Sequence, residues 1–92
     1  FDGLLLNDDL SMNALSGTLA QRCKASLFAG CDVVLHCNGG MDEMKQVASE
    51  VKPLDGEAAR RAQAALARLE PPDDFDAGAG NARLNQLLGM AA

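Results

Sequence analysis

The apolar positions fall into two short continuous runs near the start of the chain and into helical stripes after them. Leu4, Leu5 and Leu6 follow a glycine without interruption, and Asn7, Asp8 and Asp9 end the run. A continuous apolar run suits a strand covered on both faces, as in a parallel sheet, and predicts a strand over residues 3–7. Asn and Asp are poor strand formers and good turn or helix-start residues, so the chain leaves the sheet at Asn7 and carries Asp8 out at the carboxyl edge. Thr18-Leu-Ala-Gln21 is a capping-box pattern and Gly30 a natural stop, which predicts a helix between them with Leu19, Cys23 and Leu27 on one face. A short turn around Ser11 to Leu15 precedes it. The second apolar run, Asp32-Val-Val-Leu-His-Cys37, predicts a strand over 32–37. Two strands joined by a helix make a βαβ unit with a right-handed crossover.

Beyond Asn38-Gly39-Gly40 the period becomes helical throughout. Met44, Val47, Ala48 and Val51 share a face of a helix over 41–51, which Pro53 ends. Asp55 reads as the cap of the next helix, Gly56 to Glu70, with a stripe of Ala58, Ala62, Ala65, Leu66 and Leu69 expected to pack as core. Pro71-Pro72 breaks the chain, 73–80 reads as a polar loop, and a final helix spans 81–88 with Leu84, Leu87 and Leu88 on it.

Composition narrows the partners. A net charge of −5, scattered basic residues and no Tyr or Trp argue against nucleic acid. No apolar run approaches the eighteen or more residues of a membrane span, and the expectation is a soluble, cytoplasmic protein. Cys31 and Cys37 lie on one predicted strand at roughly 20 Å, beyond disulfide reach, so the three cysteines read as reduced core residues.

Taken alone, Asp8 and Asp9 read either as helix-capping residues or as carboxylates at the edge of a sheet where α/β enzymes hold ligands. Adjacent strand residues point to opposite faces and no third ligand stands at a useful spacing, so no metal site and no cofactor are assigned. His36, among apolar neighbours, reads as a hydrogen-bonded core histidine. Asp32 opens its strand at the amino edge and reads as structural. Asp42-Glu43 reads as a solvated first helical turn. Gly39-Gly40 at a helix start is a possible anion cradle, but Asp42 and Glu43 would repel the anion, and a loop without ligand is preferred.

Gly3-Leu-Leu-Leu-Asn-Asp-Asp-Leu-Ser-Met12 resembles the nucleophile signature of family 3 glycoside hydrolases, in the form found in bacterial β-N-acetylhexosaminidases. Ala29-Gly-Cys-Asp-Val-Val-Leu-His-Cys-Asn38 resembles the final barrel strand of the same enzymes. The resemblance covers roughly the first forty residues. The family has a Ser or Thr-like residue where this sequence has Asn7, and its nucleophile position falls on Asp8. An eight-stranded barrel needs on the order of 250 residues, so the resemblance implies an α/β piece: the C-terminal portion of a (β/α)8 TIM barrel, with the last two strand-helix units in 1–52 and extra helices in 53–92. It further implies a retaining exo-β-N-acetylglucosaminidase acting on muropeptides in peptidoglycan recycling. The acid/base and the sugar-binding residues would lie outside the chain. The isolated piece is expected to be inactive and to self-associate, because two strands leave both edges open. Two rivals remain: a small βαβ or helical interaction module, marked by a core closed within 92 residues, and a phosphate-binding βαβ domain, which no glycine-rich motif backs.

Overall fold

Four helices follow one another in the computed structural model, which describes residues 1–90: α1 (Leu19–Phe28), α2 (Met41–Glu50), α3 (Gly56–Leu66) and α4 (Ala77–Leu87). The last two residues of the 53–92 segment lie outside the described residues. The α1 start is the capping box: Thr18 Oγ1 accepts the Gln21 N–H at 3.2 Å, and Gln21 Oε1 accepts the Thr18 N–H at 2.9 Å. Such a cap is worth about 1 kcal/mol. α1 buries Cys23, and α2, packed against α1, buries Val47. With Leu10 they form the core, and Leu19, Leu27 and Val34 pack against it. Each buried apolar side chain contributes about 1.5–3 kcal/mol.

Regular strands do not form over 3–7 and 32–37 in the described residues; the two segments run parallel through a single bridge, Leu6 to Val33. The reason is an exchange of acceptors. In a parallel ladder around this bridge, the N–H groups of residues 33, 35 and 37 would go to the carbonyls of residues 5, 7 and 9. Val33 N–H does reach the Leu5 carbonyl, at 3.4 Å, and Asp32 N–H reaches the same oxygen at 2.8 Å. Leu35 N–H instead goes to Asn7 Oδ1 at 2.6 Å, and Cys37 N–H to Asp9 Oδ1 at 2.9 Å. The ladder continues in register with side-chain oxygens in place of main-chain ones. Neither segment has a partner on its other edge among the described residues, and Leu5, Leu6 and Leu35 are 42%, 46% and 40% exposed. The closed core that would mark an independent interaction module is therefore missing from the described residues. The radius of gyration, 18.9 Å, agrees: a compact chain of this length would have roughly 12 Å.

The C-terminal half departs from the sequence pattern in three places. α3 stops at Leu66 rather than Glu70, and no residue of it is buried, so its alanine stripe is not core here. Asp55 stands at its cap position without a side-chain cap bond. α4 begins at Ala77, inside the expected polar loop, because Asp76 Oδ1 accepts the Ala79 N–H at 3.0 Å and caps it in spite of Gly78 and Gly80. What ties α3 to the rest is charge: Arg61 donates to Asp32 Oδ1 at 3.1 Å, and Arg60 to Asp2 Oδ1 at 2.8 Å. Asp32 also accepts the Leu5 N–H at 3.0 Å. That bond and the nearby arginines hold its carboxyl below the ordinary range, the structural role expected at this edge.

Candidate active site

The chain leaves the first extended segment at Asn7, and its next residues divide into groups that are used up and one that is not. Asn7 Oδ1 takes the Leu35 N–H. Asp9 takes three donors: Ser11 N–H at 3.0 Å and Cys37 N–H at 2.9 Å on Oδ1, and the Ser11 hydroxyl at 2.5 Å on Oδ2. Asp8 lies between them and is exposed. The hydrogen bond recorded for its carboxylate is the adjacent Asp9 N–H, at 2.8 Å on Oδ1, which leaves Oδ2 open. The two aspartates, equivalent in composition, are thus a tie and a free carboxylate.

Beyond them the turn is stapled from outside. Leu10, fully buried, anchors it to the core, and its N–H donates to the Leu35 carbonyl at 2.9 Å. The Arg22 guanidinium, from α1, donates to the carbonyls of Leu10 (2.9 Å), Met12 (3.3 Å) and Leu15 (2.9 Å). A planar donor fork suits this fan of carbonyls better than an ammonium would. Sequence reasoning had not singled out Arg22, and nothing local in the sequence marks it. The Asp9-Leu-Ser11 spacing is different: an Asx turn of this kind was readable as such.

Electrostatics follow the same division. The Ser11 hydroxyl, then the Ser11 and Cys37 N–H groups, lower the Asp9 pKa from 3.8 to about 2. A group with a depressed folded pKa stabilises the fold fully above its unfolded value and loses that contribution as pH falls through the folded one. We expect the Asp9 contribution to vanish between pH 3.8 and about 2. Unfolding of the full-length protein followed against pH should show a shallower acid limb for Asp9→Asn; an unchanged limb would mean that Asp9 does not hold the turn. Desolvation, then the Asp9 and Asp8 carboxylates, push the Cys37 thiol up, so it is a poor nucleophile at neutral pH.

The His36 side chain is largely covered, 6% exposed, but it is not the hydrogen-bonded core residue the sequence suggested. Neither ring nitrogen has a hydrogen bond; Nε2 lies 3.3 Å from Glu43 Oε2 and Nδ1 4.0 Å from Asp9 Oδ1. Burial comes from the apolar setting, while the orientation of the carboxylates falls short of hydrogen-bond geometry. Gly39 and Gly40 adopt no positive φ, and the Asn38 side chain caps the Gly40 N–H at 3.0 Å ahead of Asp42 and Glu43. Among the described residues no group of three or more His, Cys, Asp or Glu side chains gathers as cation ligands do, and no helix is long and apolar enough to cross a membrane.

The pattern of the glycosyl hydrolase family 3 N terminal domain matches residues 1–70. The chain belongs to glycosyl hydrolase family 3. Individual relatives agree. A beta-hexosaminidase of Hydrogenovibrio crunogenus is 39% identical over 92 residues, covering 95% of this chain and 22% of that protein. Beta-hexosaminidases of Thiobacillus denitrificans and Chromobacterium violaceum are each 40% identical, over 72 and 63 residues, covering 75% and 66% of this chain and 19% and 18% of theirs. The chain spans about a fifth of the length of these curated relatives. No solved structure matches it. The family 3 domain is a barrel of the TIM type, and both Asp8 and the parallel contact lie within the matched residues of this family 3 chain.

Proposed function

We propose that this family 3 chain belongs to a retaining exo-β-N-acetylglucosaminidase in which Asp8 is the nucleophile. The observation that carries the reading is the division of the Asn7-Asp8-Asp9 run, where each neighbour gives an oxygen to the 35–37 segment, Asp9 gives its other one to Ser11, and Asp8 keeps a free one. An Asp8 oxygen attacks the anomeric carbon of a terminal β-linked N-acetylhexosamine, and the glycosidic C–O bond breaks. A proton donor from a segment outside this chain protonates the leaving oxygen. Water then attacks the glycosyl-aspartate, its proton returns to the same group, and the carboxylate is released. The names of the relatives support this substrate class.

In the same reading residues 1–52 are the last two strand-helix units of the barrel and 53–92 its closing helices. The substrate is a muropeptide from peptidoglycan recycling and the setting is the cytoplasm. A mechanism-based 2-fluoro sugar tests the assignment: a label on Asp8 supports it, and a label on Asp9 with Asp8 unmodified overturns it.

A further expectation concerns residues 1–92 alone. They should not hydrolyse an aryl N-acetyl-β-glucosaminide, since the proton donor is supplied from elsewhere. Turnover comparable to the full-length enzyme would place the acid/base within these residues.

A further inference from the structure

The imidazole of His36 is buried beside the site with both of its nitrogens left without hydrogen-bond partners. Both of its nitrogens, and Glu43 Oε2 opposite, are buried and make no hydrogen bond. An unsatisfied buried polar atom costs about 1–3 kcal/mol, so three together at one point call for a reason. Two carboxylates flank the ring: Glu43 of α2 on the Nε2 side at 3.3 Å and Asp9 on the Nδ1 side at 4.0 Å. Asp9 in turn holds Ser11 and Cys37, and the Asp9 N–H lies on the Asp8 carboxylate. His36 therefore stands between Glu43 at the start of α2 and Asp9, whose N–H lies on the Asp8 carboxylate.

We infer that His36 is a positioning residue of the glycosidase: it bridges Glu43 and Asp9, and through Asp9 sets the turn that aims Asp8 at the anomeric carbon. The inference rests on the reading of Asp8 as nucleophile. An imidazole offers an N–H to acceptors on both sides only in its protonated form. Hydrogen bonds in unliganded active sites are often long or poorly aligned and tighten when substrate binds. Closure of the 3.3 and 4.0 Å separations around bound sugar would make the bridge act on the reacting complex more than on substrate affinity.

The test uses the full-length enzyme on an aryl N-acetyl-β-glucosaminide, with rates normalised to the sites that the fluorosugar labels, so that unfolded protein does not count. His36→Phe should lower kcat per labelled site about 10–100-fold, the cost of a small misplacement of a reacting group, while KM moves less than about threefold. His36→Gln, which keeps a donor, should recover part of the loss. Glu43→Gln should lower kcat in the same direction, and the double variant should be no worse than His36→Phe, because both remove one bridge. A kcat per labelled site within about twofold of the parent in His36→Phe, or losses that multiply in the double variant, overturns the inference. If His36→Phe does not fold, the His36→Gln and Glu43→Gln cycle decides by the same criterion. An enzyme that keeps its turnover in Asp8→Ala refutes the nucleophile itself; one that loses it there but ignores His36 refutes only the positioning role.

Discussion

Asp8→Ala in the full-length protein should lower turnover by on the order of 10⁴-fold or more if Asp8 is the proposed nucleophile, because covalent catalysis has no substitute group at that position. Asp9 should behave differently although it is the neighbouring residue of the same type. Its oxygens hold Ser11 and Cys37, so Asp9→Asn acts by loosening the turn and leaves measurable turnover. A second measurement separates the roles. Azide added to Asp8→Ala should attack the anomeric carbon in place of the missing carboxylate and give a glycosyl azide of inverted configuration; added to Asp9→Asn it should give none. An Asp9 variant as inactive as Asp8→Ala and rescued by azide, with Asp8→Ala active, reverses the assignment.

The second large effect is on assembly. Leu5, Leu6 and Leu35 are about half exposed, and beside residues 31–36 runs an open groove of about 830 Å³, with Val33, Leu35, Met44, Val51 and Leu54 among its lining residues. A single parallel contact with both edges free is not a stable sheet. The isolated 1–92 chain should therefore associate into dimers or larger species that cover these edges, and light scattering should show them at micromolar concentration. Leu5→Asp places a charge on the surface to be covered, where burial without a partner costs several kcal/mol, and should disperse the assembly or unfold the chain. In the full-length protein the same substitution should lower Tm, the result expected if the remaining barrel segments cover Leu5. A cooperatively folding 1–92 monomer would contradict this.

Much of the local structure was legible without coordinates. The capping box at Thr18, the stop near Gly30 and the helix from Met41 are set by short-range chemistry, which is written in consecutive residues. The run Leu4 to Leu6 and the run Val33 to Leu35 marked the two segments that meet. The family was legible as well, through the resemblance of the motif around Asp8. α4 was misplaced because Gly78 and Gly80 lower helix propensity across its first turn, and the single cap of Asp76 outweighs them.

By itself the sequence determined where the first two helices lie, that two apolar segments are parallel partners, and that a pair of carboxylates ends the first of them. The tertiary structure alone decided which carboxylate is tied and which keeps an open oxygen. Asn7 and Asp9 are bound because the N–H groups of Leu35 and Cys37, 28 residues away, stand where main-chain carbonyls would otherwise receive them. Arg22 is a staple because α1 brings it beneath three carbonyls. His36 faces Glu43 because α2 turns back over its segment. Each of these depends on groups that the fold, not adjacency in the chain, brings together, and a local pattern of residue types holds no record of which groups from other elements will meet.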